Sequence, residues 1–385
     1  MNAGRAPTRV LIVGPLPPPH YGGSIFTAAL IEGVSQRAGF ETRALDTQGN
    51  RALAEVGLAS WRKGVAVARQ SLAALRLALE FRPRVLYSPI PIALGSFLRY
   101  SLFVLLARLV GARSVVQFHD GQFDVVFAGY PRWARAYARF VLGQTAAIVV
   151  LGERLVSMLD GIAPRGRVRV VRGSRDDGPF QAARERAAPR RSSDPVRVLF
   201  LSHLFRDKGY LDVLRAAAIA RRSRQDLRFQ FAGDWPSDEE ARAAARFVRE
   251  NDLGGVVEFL GSVTGPKKYD LLASASIFVL PTFYRFEAQP SAVIEALAAG
   301  LPVVTTDWAG LPEMVEDGDC GFVVPVADPS ALADRIVRLA AEPALRERMG
   351  RRARERFLAL FTRQRWLDGM CAVLQEAAGL EGPLR

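Results

Sequence analysis

The chain has 385 residues, 49% of them hydrophobic, so it can bury two hydrophobic cores and two domains are expected. Its two cysteines, Cys320 and Cys371, exclude a disulfide framework and favour a reducing compartment. The net charge of +13 is concentrated in residues 1–178, which hold 23 Lys or Arg and 11 Asp or Glu. That half is therefore expected to face nucleic acid, an acidic polymer or an anionic membrane surface.

The first apolar run, residues 10–13, ends at Gly14 and is too short for a signal peptide. It predicts a first β-strand and a cytoplasmic protein. Gly22 and Gly23 follow it and precede a predicted helix that starts near Ser24. Without a Cβ, their backbone can approach a ligand closely.

Residues 61–80 and 130–142 are predicted helices that mix arginine with aromatic residues. In the second, Arg132, Arg135 and Arg139 have the spacing of one helix face, which is typical of a helix lying in a membrane interface. Ordinary amphipathic packing with a solvated arginine face is the alternative, and the sequence leaves it open.

A third stretch, residues 97–110, is nearly all apolar, but Arg99 and Arg108 interrupt it. It is shorter than the ~20 residues that a membrane-spanning helix needs, so it predicts a buried helix or a shallow membrane contact. The sequence has no zinc-ligand spacing, aromatic RNA-binding signature or helix-turn-helix pattern, so no nucleic-acid partner is expected.

Short apolar runs alternate with helical stretches along the whole chain, which predicts parallel α/β sheets. The first sheet is expected from residues 10–13, 85–87, 115–118, 147–150 and 167–171, and the second from residues 196–201, 229–231, 257–259, 277–280 and 303–305. The predicted organisation is a first domain at 1–178, a linker at 179–195, a second domain at 196–360 and a C-terminal helical segment at 361–385. The linker is proposed where apolar periodicity is lost and charge, proline and serine accumulate.

Two carboxylates, Glu287 and Glu295, lie eight positions apart across a predicted loop-to-helix junction. Free backbone N–H groups near Ser291, at the start of that helix, favour a phosphate, and Glu295 can accept hydrogen bonds from sugar hydroxyls. The spacing alone is equally typical of an ordinary strand-helix-strand unit with two solvated glutamates.

Four further segments accompany this E-x7-E pattern and its continuation EALAAGLPVVTT: VLIVGPLPPPHYGG at 10–23, FLSHLFRDKG at 200–209, FAGD at 231–234 and FLG at 259–261. Together they resemble the retaining glycosyltransferases of family 4, the glycogen-synthase-like enzymes. The resemblance implies an α/β protein of the GT-B fold. Its two Rossmann-like, doubly wound domains would face each other across a cleft, with the acceptor on the first, the nucleotide sugar on the second, and a C-terminal helix crossing back.

The resemblance also implies roles for individual residues. Glu287 would hold sugar hydroxyls, His119 would contact the donor sugar near its reacting carbon, and Lys208 would bind the diphosphate. Lys208 is one of only four lysines among 52 basic residues. Because arginine fills nearly every other basic position, a lysine in this motif indicates a specific role. The remaining donor contacts are expected from Gly22, Gly23, His203, Arg206, Val263, Gln289, Ser291, Ala292 and Glu295.

Two positions depart from the family pattern. Ser202 and His203 stand where a Gly-Arg pair is common, so the second cation must come from His203 or Arg206. Gln289 and Pro290 stand where Phe-Gly is common, and Pro290 offers no N–H.

The function implied is transfer of a sugar from a nucleotide diphosphate sugar, by default a UDP-sugar, to a hydroxyl of a lipid-linked or polysaccharide acceptor, with retention. No cofactor and no metal are expected, since Asp317-Gly-Asp319 reads as a turn rather than a metal motif. The protein is expected on the inner face of the cytoplasmic membrane. A sugar phosphorylase or nucleotide-sugar epimerase on the same fold, and a non-catalytic glycan- or membrane-binding member, remain alternatives.

Overall fold

The computed structural model describes residues 6–18, 22–48, 61–187 and 194–380. The chain divides into two compact units, the first comprising Met1–Val171 with Trp366–Arg385 and the second comprising Arg172–Arg365. Each unit is built on a six-stranded parallel sheet. The prediction of an α/β protein with two parallel-sheet domains is therefore confirmed.

In the first unit, helical segments connect successive strands, because neighbouring parallel strands need crossover connections. Its elements are β1 (Thr8–Gly14), α1 (Gly22–Ser35), β2 (Phe40–Asp46), α2 (Trp61–Phe81), β3 (Val85–Pro89), α3 (Leu94–Leu109), β4 (Arg113–Gln117), α4 (Phe123–Ala128), α5 (Arg132–Leu142), β5 (Ala147–Val150) and β6 (Val168–Val170). The strand order is β2-β1-β3-β4-β5-β6.

The second unit repeats this alternation. Its elements are α6 (Gly178–Arg186), β7 (Val196–Leu201), α7 (Tyr210–Ala220), β8 (Leu227–Ala232), α8 (Asp238–Glu250), β9 (Val257–Gly261), α9 (Gly265–Ser274), β10 (Ile277–Leu280), α10 (Ser291–Ala299), β11 (Val303–Thr306), α11 (Leu311–Met314), β12 (Gly321–Val324), α12 (Pro329–Ala341) and α13 (Pro343–Leu360). The strand order is β12-β11-β10-β7-β8-β9, so β7 and β10 occupy the centre. Both are buried along nearly their whole length, as the continuous apolar runs in the sequence predict.

One strand of the first sheet, β2, was not predicted from the sequence. It pairs with β1 alone, at the edge of the sheet, and none of its seven residues is fully buried. Because an edge strand of this kind needs no continuous apolar run, the segment FETRALD lacks the signal by which the other strands were found.

The first half of the predicted linker, 179–195, is a helix and not an irregular segment. Helix α6 occupies much of it, and Phe180 and Ala183 are buried in the core of the second unit. Phe180 packs edge-on against Tyr269 of α9, with 4.9 Å between ring centroids. A helix held by so few apolar residues has too weak a periodicity to be recognised from sequence. The boundary between the units lies at Val171 and Arg172, before the predicted residue 178.

By sequence alone, residues 351–378 resemble one long helical stretch, but the structure has two helices there, α13 and α14 (Arg363–Ala377). The break falls at Phe361 and Thr362, where the chain makes a short parallel bridge to Arg175. The Arg175 backbone N–H donates to the Phe361 carbonyl at 3.0 Å, and the Arg363 N–H donates to the Arg175 carbonyl at 3.1 Å. These bonds come from a segment nearly 190 positions away, so local sequence carries no sign of the break.

From Trp366 onward, α14 belongs to the first unit, where it shares a core with α1 and one face of the first sheet. Trp366 is 3% exposed and packs edge-on against Phe26 of α1. No helix within the described residues combines the length and apolar character that crossing a bilayer requires.

Candidate active site

A buried ion pair lies beyond the carboxyl ends of the two central strands of the second sheet. Lys208 ends a 3-10 turn after β7, and Glu287 lies in the loop after β10. The Lys208 Nζ atom is 2.6 Å from Glu287 Oε2, and Glu287 is only 7% exposed. The Thr282 hydroxyl donates to the same carboxylate oxygen at 3.2 Å. Chain segments 79 residues apart are thus brought into one polar cluster.

The loop after β10 is held by hydrogen bonds from its neighbours. The Phe283 N–H donates to the Asp207 carbonyl at 2.8 Å, which joins this loop to the turn that carries Lys208. The Thr306 hydroxyl donates to the Thr282 carbonyl at 2.5 Å, and the Trp308 indole N–H donates to the Tyr284 carbonyl at 2.9 Å. Glu287 is therefore presented by a fixed backbone, although it lies outside a helix or strand.

Gly209 fixes the position of Lys208 from the other side. Its φ of +84° is in the left-handed region, and a Cβ there would lie 2.3 Å from the Pro281 carbonyl oxygen. Only glycine allows this approach of the two loops. The Lys208 ammonium also lies 4.4 Å from the centre of the Tyr284 ring, which adds a cation–π contact.

Glu295 lies one turn inside α10 and is 5% exposed. Its Oε1 atom accepts hydrogen bonds from Arg175 Nε at 2.9 Å and from Lys268 Nζ at 2.8 Å. Two cations therefore share one carboxylate, and this side of the site carries a net positive charge. Neither cation was predicted as a site residue.

The start of α10 contains the predicted backbone donors. Pro290 precedes Ser291 and Ala292, whose N–H groups have no carbonyl four residues earlier within the helix to bond. Gln289 is 9% exposed, and its Oε1 atom accepts from the Gly173 N–H at 2.8 Å. Its Nε2 group is buried without a hydrogen-bond partner among the described residues. That amide is a donor available to a ligand.

Arg206 and His203 were expected to supply a second cation, but the structure shows them in contact with residues other than Lys208 and Glu287. Arg206 is exposed and pairs with Glu240 of α8 at 2.8 Å. Glu240 also accepts from the Tyr210 hydroxyl at 2.6 Å, and burial together with this carboxylate raises the pKa of Tyr210. His203 is exposed and stacks on Phe205, with ring centroids 5.5 Å apart.

Val263 follows β9 and is half-buried against the core of the second unit. Among the residues that the structure describes, no group of three or more His, Cys, Asp or Glu side chains is arranged to hold a metal ion. Both carboxylates of the Asp-x-Asp pattern, Asp317 and Asp319, already have hydrogen-bond or ion-pair partners in the protein. Asp317 accepts from the Val323 N–H at 2.9 Å, and Asp319 pairs with Arg352 at 2.8 Å.

In the first unit, His119 and the two glycines lie around the start of α1. Gly22 and Gly23 are its first residues, and a Cβ at Gly22 would meet no described atom within 4 Å. Further along α1, the Phe26 ring lies 5.4 Å from the His119 ring, centroid to centroid. His119 follows the end of β4, and its Nε2 atom is buried without a partner among the described residues. Burial lowers the pKa of His119 to about 4, so its imidazole is neutral at neutral pH.

The arginines predicted to share a membrane-facing side of α5 differ in their surroundings. Arg132 is exposed, whereas Arg135 is half-buried. Arg139 is exposed, but its Nε donates to the Gly161 carbonyl at 3.0 Å and its guanidinium lies over the Phe127 ring. Trp133 and Phe140 of α5 are also exposed, at 60% and 53%.

Lys208, Glu287 and Glu295 were predicted from the sequence as site residues, whereas their bonding partners Arg175 and Lys268 were not. The rarity of lysine that singled out Lys208 applies equally to Lys268, so that signal was available. Arg175 lies beside the region read as a linker, and its place beside Glu295 depends on the bridge to Thr362. No sequence spacing predicts that contact.

The chain is similar to known glycosyltransferases in sequence and to solved structures in fold. The sequence model of the family described as glycosyl transferases group 1 matches residues 181–356. The chain is 28% identical over 268 residues to an alpha-D-kanosaminyltransferase from Streptomyces kanamyceticus, which covers 65% of this chain and 67% of that relative. It is 28% identical over 186 residues to WcaL from Salmonella typhimurium, a putative colanic acid biosynthesis glycosyltransferase. That second match covers 47% of this chain and 45% of WcaL, so the chain spans less than half of this relative's length.

Among solved structures, HepE from Anabaena in complex with UDP matches 96% of this chain and 100% of its own, with a TM-score of 0.72 at 13% identity. At that identity the likeness concerns the fold. Residues 181–356 thus match the glycosyl transferases group 1 model by sequence, and the chain has the GT-B fold.

Proposed function

We propose that this protein is a retaining glycosyltransferase that moves a sugar from a nucleotide diphosphate sugar to a hydroxyl group of a lipid-linked or polysaccharide acceptor. The observation that carries the proposal is the pairing of Lys208 with Glu287 beyond the central strands of the second sheet. A single-charge cation and a carboxylate, both largely buried and fixed by their loops, suit a ligand that has an anionic end and a hydroxyl-bearing end.

In this proposal Lys208 binds the diphosphate of the donor. Negative charge grows on the phosphate oxygen as the bond from the sugar C1 atom to that oxygen breaks, and a compact ammonium group stabilises it. The N–H groups at the start of α10 face the same charge and add the field of a helix N-terminus. The unpaired amide of Gln289 is a further donor beside them.

Glu287 accepts hydrogen bonds from hydroxyl groups of the donor sugar. Because the Thr282 hydroxyl and the loop backbone hold Glu287, the carboxylate needs little rearrangement when the sugar binds. As the acceptor oxygen bonds to C1 on the face that the diphosphate leaves, its proton passes to the departing phosphate oxygen. That route needs no protein nucleophile and gives retention.

Glu295 binds the nucleotide ribose through its hydroxyl groups. Arg175 and Lys268 hold the carboxylate in place, so its oxygen atoms are positioned to accept hydrogen bonds. Val263 lies near the base in this proposal. The HepE structure was solved with UDP, which supports uridine as the default base.

His119 contributes from the first unit as a neutral group. With a pKa of about 4, its imidazole carries no charge at neutral pH and can bond a sugar hydroxyl through the unpaired Nε2 atom. No described atom lies within 4 Å of a Cβ placed on Gly22, so in this proposal the backbone there approaches the donor phosphates or the acceptor.

The acceptor is proposed to be lipid-linked or polymeric and to be met at the inner face of the cytoplasmic membrane. The name of WcaL, a putative colanic acid biosynthesis enzyme, supports a polysaccharide. The proposed reaction uses no metal ion, since Lys208 and the α10 N-terminus supply the positive charge.

Ligand-observed NMR with UDP-, GDP-, ADP- and dTDP-sugars tests the donor site. We expect selective binding of one donor, unchanged by a chelator and lost in Glu295→Gln, which keeps the shape of the side chain but weakens its bonds to Arg175 and Lys268. Glu239→Gln, at an exposed glutamate of α8, is the matched control and should bind as the unmodified protein does. Failure to bind any donor would contradict the proposal.

The transfer step is tested separately with Glu287→Ala, once a donor is known. We expect release of nucleoside diphosphate in the presence of acceptor to fall by at least about 100-fold. Full activity in this variant would overturn the assignment of Glu287.

A further inference from the structure

Helices α2, α3 and α5 cover the same face of the first sheet. The opposite face is covered by α1 and α14, which share a core with alternate strand residues such as Val10, Val85 and Val115. Strand residues in between point the other way, toward the second helical layer. Within that layer α3 packs against both α2 and α5, so the three helices form one continuous outer surface.

The outward side of α3 is apolar. Its leucines follow one another at spacings of four, three and four residues, which places them on one stripe of the helix. The stripe consists of Leu98, Leu102, Leu105 and Leu109. Leu109 is 76% exposed and Leu102 is 38% exposed, whereas the other two are half-buried. A row of leucines facing water is unusual on a folded surface.

The neighbouring helices repeat this arrangement. On α2, exposed apolar residues recur every seven positions at Val65, Leu72 and Leu79. On α5, Trp133 and Phe140 have the same spacing. Seven residues are close to two helical turns, so each set lies on one side of its helix. Exposed apolar stripes thus run along all three helices of the layer.

The same helices are strongly basic. By sequence, α2, α3 and α5 together hold nine Lys or Arg and one acidic residue, Glu80. Exposed arginines lie beside the apolar stripes: Arg69 and Arg76 on α2, Arg108 on α3, and Arg132 and Arg139 on α5. Apolar stripes edged by arginine, with almost no acidic residues, complement a surface that is anionic outside and apolar just beneath it.

We infer that the outer surface of α2, α3 and α5 docks the first unit onto an anionic lipid bilayer. The leucine and aromatic side chains enter the boundary between head groups and acyl chains, and the arginines contact lipid phosphates. No described helix can cross the bilayer, so the contact is peripheral. The inference extends the membrane contact expected for α5 to a three-helix surface, and it stands on exposure and charge whether or not the proposed sugar transfer occurs.

Co-sedimentation with lipid vesicles, without any sugar donor, tests the docking surface. The unmodified protein should bind vesicles of phosphatidylcholine with phosphatidylglycerol but not vesicles of phosphatidylcholine alone. Leu102→Ser with Leu109→Ser, and Arg69→Gln with Arg76→Gln, should each weaken binding at least about tenfold. The matched controls are Leu358→Ser and Arg242→Gln with Arg246→Gln, at exposed positions of the second unit, and these should bind normally.

Trp133 reports whether apolar side chains enter the lipid. Brominated lipids should quench part of the tryptophan fluorescence of the unmodified protein, and Trp133→Phe should lose that part while still sedimenting with the vesicles. If the leucine variant binds like the unmodified protein and only the arginine variant is weakened, the surface is a simple polyanion site and the inference fails. Absence of binding to anionic vesicles overturns it as well. Neither result bears on donor binding in the second unit.

Discussion

The Glu287 carboxylate receives two donors on one oxygen, the Lys208 ammonium and the Thr282 hydroxyl. Only 14% of the Lys208 side-chain surface and 8% of the Glu287 side-chain surface is exposed, so each charge depends on the other for much of its stabilisation. Removing one partner leaves an uncompensated buried charge, whereas removing both leaves none. The ion pair at the proposed donor site therefore contributes to the stability of the second unit.

Substitutions at this pair should be strongly non-additive. We expect Glu287→Gln to lower the free energy of unfolding of the second unit by about 3 kcal/mol, and Lys208→Met with Glu287→Gln to recover most of that loss. Urea unfolding followed by hydrogen exchange of the second unit measures both. Equal destabilisation by the single and double variants would show that Lys208 and Glu287 are not coupled in solution.

Acidification should destabilise the first unit through His119. Its pKa in the folded protein, about 4, lies below the value of 6.5 for an unperturbed histidine. Between these pH values the unfolded chain binds more protons than the folded chain does. The contribution of His119 to the free energy of unfolding is therefore fully present above about pH 6.5 and is lost as the pH drops toward 4, by about 3 kcal/mol in all. Hydrogen exchange of the first unit at several pH values measures this.

His119→Phe should flatten that pH dependence because it removes the titrating group and keeps the contact with Phe26. His203→Phe, in the second unit, should leave the pH dependence of the first unit unchanged. An unaltered slope in His119→Phe would place the acid sensitivity elsewhere.

At the scale of elements, the loops after β7 and β10 pack directly against each other because Gly209 has no side chain to separate them. We expect Gly209→Ala to lower the free energy of unfolding by at least about 2 kcal/mol, since it adds both an unfavourable backbone conformation and a clash with the Pro281 carbonyl. Donor binding should weaken as well, because Lys208 precedes Gly209. Thermal unfolding and ligand-observed NMR measure the two effects.

Gly255→Ala is the matched control for that substitution. A Cβ at Gly255 would meet no described atom within 4 Å, and the backbone there is not in the left-handed region. Alanine restricts the unfolded chain at either position, which by itself stabilises the protein, so Gly255→Ala should cause no loss. Comparable losses in both variants would mean that the contact between the two loops does not explain the effect of Gly209→Ala.

The elements that could be predicted are those whose own residues carry the signal. The central strands β7 and β10 were found because both of their faces are buried, which gives uninterrupted apolar runs. The edge strand β2 and the short helix α6 were missed because they have too few buried apolar residues to give a pattern. The break before α14 was missed because its partner, Arg175, is distant in sequence. The site divides in the same way: Lys208 and Glu287 stand in recognisable motifs, whereas Arg175 reaches Glu295 only through the fold.

At the scale of the whole molecule, the first unit is built from two separate stretches of chain. Residues from both share one core, in which Trp366 of α14 meets Phe26 of α1. The second unit is a single continuous stretch, Arg172–Arg365. Core substitutions in α14 should therefore affect the first unit and spare the second.

Trp366→Ala tests this. We expect the free energy of unfolding of the first unit to fall by about 3–5 kcal/mol and that of the second to change little. Hydrogen exchange resolved by unit gives both values. Trp366→Phe is the control: it keeps most of the ring and removes an indole N–H that has no partner among the described residues, so its effect should be much smaller.

This divided construction sets an order of events on the ribosome. The residues that open the first sheet are made early, but α14, which completes the cover on one of its faces, emerges only after the whole of Arg172–Arg365. At about 5–20 residues per second, that interval is on the order of 10–40 s. Throughout it the apolar face beneath α14 is incompletely covered in the nascent chain, so the unit that is translated second is the first to finish its core.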